Sequence, residues 1–268
     1  SAIPRIMLVL GVILSFSISW YVSDFINASI AENTQQQGSE LINILTRRIE
    51  KYELALRGGV ALFNASDTVT RHEWQGYVET LAIEQFLPGV QGIGYSPIIA
   101  HKDLVNYENE THQRNDIQYK IRPSGEREFY TPIIYLEPFD WRNQRAFGYD
   151  MWSDPIRREA MERARDSGSS AVSGIVKLVQ ETDEDIQNGF LMYLPVYRKE
   201  FPIATLEQRQ IALQGFVYSP FRVNNLMNSI LAGRVKNAHV EIYDNDSIVS
   251  SKIFYSVSFN SEGENTDL

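Results

Sequence analysis

The chain has 268 residues, 43 % of them hydrophobic and 12 % aromatic, which is enough for a packed core and excludes general disorder. Its net charge of -9, with no cluster of Lys and Arg, excludes a phosphate-neutralising nucleic-acid surface. The absence of cysteine excludes disulfides, thiolate catalysis and cysteine metal sites, and His72, His101, His112 and His239 form no i, i+4 pair, so neither a metal nor a cofactor is expected.

Ile6 to Val22, IMLVLGVILSFSISWYV, carries no charge and no proline and, counted with Ile3, approaches the about 20 residues needed to cross a bilayer. Residues 1–23 therefore read as a transmembrane helix, with Trp20 and Tyr21 at the interface. Arg5 before the run and Asp24 after it place the N-terminus in the cytoplasm and residues 24–268 in the periplasm or outside the cell, at an inner or plasma membrane. A cleaved signal peptide is the alternative, although INASIA is a weak cleavage site, and a buried core helix is the plainest one.

From 24 to 66 a long amphipathic helix is predicted, with Ile26, Ile30, Leu41, Ile44, Leu45, Ile49, Tyr52 and Leu56 near a 3.6-residue period, weakened by the polar stretch AENTQQQGSE. Its stripe suits either its own domain or a second copy of the chain, and a homodimer through this helix is the expected arrangement. Thr70 and Glu73 form a capping box that predicts a helix burying Trp74, Tyr77, Val78 and Leu81. Pro88-Gly89 turns into a strand ending near Ile99, a short helix spans 102–110, and strands follow at 117–122 and 130–138 around the turn Pro123-Ser-Gly125.

Ser153 or Asp154 is placed to cap a helix with Pro155 in its first turn and Gly168 at its left-handed end. Strands are predicted at 171–179, 189–197 and 211–218, then a helix at 221–231 and a strand pair, 238–243 and 248–255, joined through Asp244-Asn-Asp246. Strand pairs separated by helices, without a βαβ repeat, predict an α+β protein built on antiparallel sheets. The polar tail SEGENTDL is expected to fray.

Asp150, in GYDMWSDP, lies too early to cap the helix at 155 and is surrounded by Tyr149, Met151 and Trp152. A carboxylate in such company needs a donor or a cation: an internal salt bridge or backbone amides on the plain reading, a visiting molecule on the other.

The ordered set PGVQGIGY (88–95), YTPII (130–134) with Glu137-Pro138, Asn143 with GYDMWSDPIRREAMERARDSG, GFLMYLPVYR and QGFVYSPFRVNNLM resembles the CHASE domain, a sensory module of cyclases and histidine kinases. The resemblance covers about residues 75 to 230. It implies a long N-terminal helix and two tandem PAS-like subdomains between two membrane spans, a ligand-binding membrane-distal one (67–200) and a proximal one (201–268). It also implies a ligand-contacting aspartate followed by two apolar residues and a serine, matched by Asp150-Met-Trp-Ser153, and a hydroxyl at Ser173 where plant members that bind cytokinin have threonine. Here Gly174 and Ile175 replace the small residue and proline that follow in those members, so the resemblance carries over a ligand site and not a ligand.

Pocket walls are expected from Tyr130, Pro132 and Ile134 on one strand face and Leu191 and Tyr193 on another, ordinary core packing being the plain alternative. The expected function is that of a small-molecule sensor of a transmembrane histidine kinase or diguanylate cyclase, not itself catalytic. Two other readings remain: a tethered hydrolase using Asp150, Asp154 or Glu137, and a structural dimerisation module without a ligand.

Overall fold

The computed structural model describes residues 2–115, 119–181, 187–231, 234–236, 238–243, 253–260, 262 and 264, in two compact units, 1–47 and 48–268. The first helix, α1 (Ala2–Ala65), runs unbroken through the expected junction at residue 23. Among the described residues no helix is long and apolar enough to cross a membrane; the run expected to do so includes residues 6–14, whose side chains lie outside the described set. In the larger unit Tyr52, Ala55, Leu56, Gly59 and Phe63 of α1 are buried at helical spacing. Gly58-Gly59 weakens a helix by about 1 kcal/mol per glycine relative to alanine. A Cβ on Gly59, however, would sit 3.1 Å from both Trp74 and Val217, so the glycines let the neighbouring elements close on α1.

The capping box forms as predicted: Glu73 N donates to Thr70 Oγ1 (3.3 Å) and Thr70 N to Glu73 Oε2 (2.7 Å), opening α2 (Arg71–Leu81), which buries Trp74 and Val78. Ala82, left-handed at φ 45°, turns the chain into α3 (Ile83–Phe86). In order there follow β1 (Ile93–Pro97), β2 (Ile99–Ala100), α4 (Leu104–Asn115), β3 (Phe129–Tyr130), β4 (Tyr135–Glu137), α5 (Trp141–Gln144) and α6 (Pro155–Ser167). The chain continues through β5 (Ala171–Val172), β6 (Val176–Lys177), β7 (Asn188–Tyr197), α7 (Leu206–Ala212), β8 (Leu213–Arg222), α8 (Val223–Leu231), β9 (Ala238–Tyr243) and β10 (Ile253–Phe259).

The main sheet is antiparallel in the order β4-β1-β8-β7-β5, with β6 also on β7, while β9–β10 and β2–β3 form two small antiparallel sheets. The chain is thus α+β, with a long N-terminal helix and antiparallel sheets. Both faces of the main sheet are covered. Phe63 of α1 and Trp74 of α2 meet Tyr95 on one face, at ring separations of 4.0 and 6.5 Å. On the other, Ala160, Met161 and Ala164 of α6 join Leu191, Tyr193, Phe216 and Tyr218. This is why Gly189–Val196 and Gly215–Arg222 are buried without alternation.

Several expected strands are redrawn. The strand expected at 130–138 splits into β3 and β4, because Thr131 N donates to the Asp150 side chain (2.8 Å) and Ile133 N to Tyr149 O (3.0 Å) instead of to a neighbouring strand. The strand expected at 171–179 splits into β5 and β6, and α7 precedes a β8 that runs on to Arg222. Residues 119–122 carry only an isolated bridge, Arg122 to Tyr149, and residues 117 and 118 lie outside the described set. So do 244–252, which hold the Asp244–Asp246 turn and the start of the strand expected at 248, and most of the polar tail. The main sheet also crosses the boundary expected at 200/201, since β8 lies between β1 and β7.

Candidate functional site

Asp150 is held by backbone on two sides. Its N–H donates to Arg122 O (2.7 Å), Met151 N to Thr131 O (3.1 Å), and Gly148 N to Ile133 O (2.9 Å). Gly148 is left-handed (φ 80°), and a Cβ there would meet Lys120 O at 2.4 Å, so the close approach to 119–122 requires glycine. Asp154, not Ser153, caps α6: its Oδ1 accepts from Ile156 N and Arg157 N, both at 3.0 Å, while Pro155 and left-handed Gly168 bound the helix as expected.

The Asp150 carboxylate is completely buried and its two oxygens differ. Oδ1 accepts from Thr131 N (2.8 Å), Thr131 Oγ1 (3.3 Å) and Trp152 N (3.2 Å), so Asp150 caps the 3-10 turn Met151–Ser153. Oδ2 has no hydrogen-bond donor; Arg127 Nη1 stands 3.4 Å away while donating to Pro123 O (3.3 Å) and Gly125 O (3.2 Å). Burial raises the Asp150 pKa above the ordinary carboxylate range, opposed by the Thr131 hydrogen bonds and Arg127. Tyr119 Oη is also buried without a hydrogen-bond partner, and its pKa is raised well above the usual phenol value, mostly by burial and in part by neighbouring Tyr107, Glu108 and Asp150.

The other expected site residues fall into two groups. Tyr130 is buried with Tyr119 and Ile121, with Ile134 packed on them, and its hydroxyl donates to Gly125 O (2.9 Å). Pro132 bridges directly to Asp150. Leu191 and Tyr193 instead belong to the α6-face core with Met151, where Tyr193 Oη meets Met151 Sδ at 3.6 Å. Tyr130, Pro132 and Ile134 do not share one face, because 131–134 is not a strand and Tyr130–Ile133 are all buried. The Ser173 hydroxyl is occupied, accepting from Leu191 N (3.0 Å) and donating to Gly174 O (2.8 Å), which closes β5 onto β7.

Sequence reasoning missed Thr131, Arg127 and Tyr119 around Asp150, as well as Arg157. Arg157 is 3 % exposed and donates to Asp154 Oδ2 (2.8 Å) and Lys177 O (2.8 Å). Its position in the buried stripe 157, 160, 161 and 164 of α6 was a readable signal. The three carboxylates considered for hydrolysis have separate engagements: Asp154 caps α6 and pairs with Arg157, Asp150 caps the 3-10 turn, and Glu137 lies 3.6 Å from Arg71. Among the described residues no group of His, Asp and Glu is placed to hold a metal ion.

Residues 67–255, well over half of the chain, match the model of the CHASE domain, and the chain belongs to this family of sensory domains. It is 24 % identical over 182 residues to hybrid signal transduction histidine kinase A of Dictyostelium discoideum, a match that takes in 62 % of this chain. The chain spans 8 % of that relative's length. The ligand-binding domain of the amino-acid chemoreceptor PctC of Pseudomonas aeruginosa PAO1, solved with GABA, aligns over 82 % of this chain and 72 % of its own at 12 % identity and a TM-score of 0.48.

Proposed function

We propose that this CHASE domain is the extracytoplasmic input of a transmembrane receptor, binding a small molecule at Asp150 and passing the change through α1 to an output module. The observation that carries the reading is the Asp150 carboxylate, fully buried with one oxygen saturated and the other without a hydrogen bond. Oδ2 lies 3.4 Å from Arg127 Nη1 but accepts no hydrogen bond; a buried acceptor without one costs about 1–3 kcal/mol, which a ligand N–H at Oδ2 would recover. The histidine-kinase relative supports a kinase output, with a diguanylate cyclase as the alternative. The apolar run at residues 6–22 supports a membrane span, and the stripe of α1 supports pairing of two chains.

In this reading the ligand-binding subdomain is PAS-like and extends from 67 to 222, its antiparallel five-strand path supporting that description. The membrane-proximal part begins with α8 and the β9–β10 pair. Tyr119, Thr131 and Arg127 join Asp150 as ligand-facing residues, while Ser173 acts on the backbone.

A thermal-shift screen of the whole chain in detergent with small amines, purines and amino acids tests this. A ligand present at a hundred times its Kd stabilises by about 2.7 kcal/mol. Asp150→Asn is expected to abolish the shift. Because the ligand favours ionised Asp150, its affinity should rise as pH rises through the raised Asp150 pKa. A stabilising ligand whose effect survives Asp150→Asn sinks the assignment.

A further inference from the structure

We propose that the cavity between α2, α3 and the segment following β4 is a second binding site, distinct from Asp150, for a small organic ammonium ion with an apolar body. The cavity has a volume of about 670 Å³, and Asp150 does not line it. That is within the roughly 300–1,000 Å³ typical of ligand pockets. Val78 and Ile83, both buried, and Pro138 and Phe139 supply apolar walls for the body of such a ligand.

The charges select the ligand's sign. Among the described residues that line the cavity, Glu79, Glu84 and Glu137 face one cation, Arg71. Arg71 is already committed: its guanidinium lies 3.9 Å over the Phe139 ring and 3.6 Å from Glu137 Oε1. Glu137 is buried, with a pKa raised chiefly by that burial and lowered in part by Arg71. Glu79 and Glu84 sit at the exposed rim, where the Glu79 side chain accepts a neutral hydrogen bond from Gln75 (2.7 Å). An anion would meet three carboxylates here, and a neutral ligand would leave the rim charges uncompensated. A cation satisfies the rim while its apolar body fills the space below.

The shape is set by an unusual turn. Ala82, which lines the cavity, is the one non-glycine residue with positive φ among the described residues. This conformation is disfavoured for a residue with a Cβ, and it turns the chain from the end of α2 directly into α3. Such conformations persist where surrounding structure enforces them, and they cluster at ligand clamps.

Calorimetric titration of the whole chain in detergent with phenethylammonium chloride, and with 2-phenylethanol as its uncharged match, tests the proposal. The ammonium ion is expected to bind at least about tenfold more tightly than the alcohol. The double variant Glu79→Gln, Glu84→Gln, altered only at exposed positions, should weaken ammonium binding by at least about tenfold. Asp150→Asn should leave it unchanged. The proposal is overturned by no binding at millimolar ammonium, by equal binding of the alcohol, or by binding that ignores the double variant. Loss of binding in Asp150→Asn alone assigns the amine to the other site and also overturns it.

Discussion

At the scale of single residues, Asp150 combines a structural task with an unfinished one, and the two are separable by substitution. Asn at 150 keeps an oxygen to accept from Thr131 N and Trp152 N, so Asp150→Asn should unfold in urea within about 1 kcal/mol of the wild type. Asp150→Ala strips that acceptor from buried amides and should cost about 2–3 kcal/mol. The pH dependence has a definite sign. The folded-state pKa lies above the ordinary 3.8, so in the window upward from 3.8 the folded state holds more protons than the unfolded chain, and stability falls as pH rises. This local decline should be missing from Asp150→Asn; an unchanged slope would refute the buried-carboxylate origin. That Asp150 does not cap α6 was legible from its distance ahead of Pro155, whereas its capping of the 3-10 turn Met151–Ser153 was not. Thr131 was not legible as its partner, because it arrives from 19 positions away along irregular backbone.

At the scale of elements, what depends on local chemistry was readable. The α2 capping box and the cap, proline and glycine of α6 appear where their side chains predict, since each bond closes within three or four residues. A second capping box, Thr205 with Gln208, opens α7 and was equally available in the sequence, yet no helix is predicted there and the next predicted element is the strand from 211. The α6 cap carries a stability prediction. Asp154→Ala removes the acceptor for Ile156 N and Arg157 N and also leaves the buried Arg157 guanidinium without its carboxylate. We expect a loss of about 3–5 kcal/mol, the range for breaking a buried pair, against about 1 kcal/mol for Thr205→Ala at an exposed cap. Urea midpoints for the two variants measure both; equal losses would show that Arg157 tolerates being left alone.

At the scale of the molecule, the main sheet passes to the β9–β10 pair through a packed junction. Arg222, at the end of β8, grips buried Glu181 with two bonds, Nε to Oε1 (2.9 Å) and Nη2 to Oε2 (3.2 Å). Gln187 Oε1 accepts from Asn224 N (3.1 Å) at the start of α8, and Tyr255 Oη donates to Asn228 (2.8 Å). Phe190 stacks on Phe221 at 4.7 Å and meets Phe254 at 5.5 Å. Glu181→Ala removes both of these bonds from the buried Arg222 guanidinium and should cost about 1–3 kcal/mol, whereas replacing both partners by Leu and Met should restore most of it. If the double variant is no better than the single one, shape rather than charge governs the junction.

By itself the sequence determined the start of α2 and both ends of α6, the α+β class, the resemblance to CHASE domains and the presence of an acid among aromatic residues, because these rest on bonds or patterns confined to short stretches. The tertiary structure decided which strands pair, that β8 belongs to the middle of the main sheet, and that one Asp150 oxygen is saturated while the other is not. Those outcomes depend on residues far apart in the chain meeting in a space that only the packed fold defines.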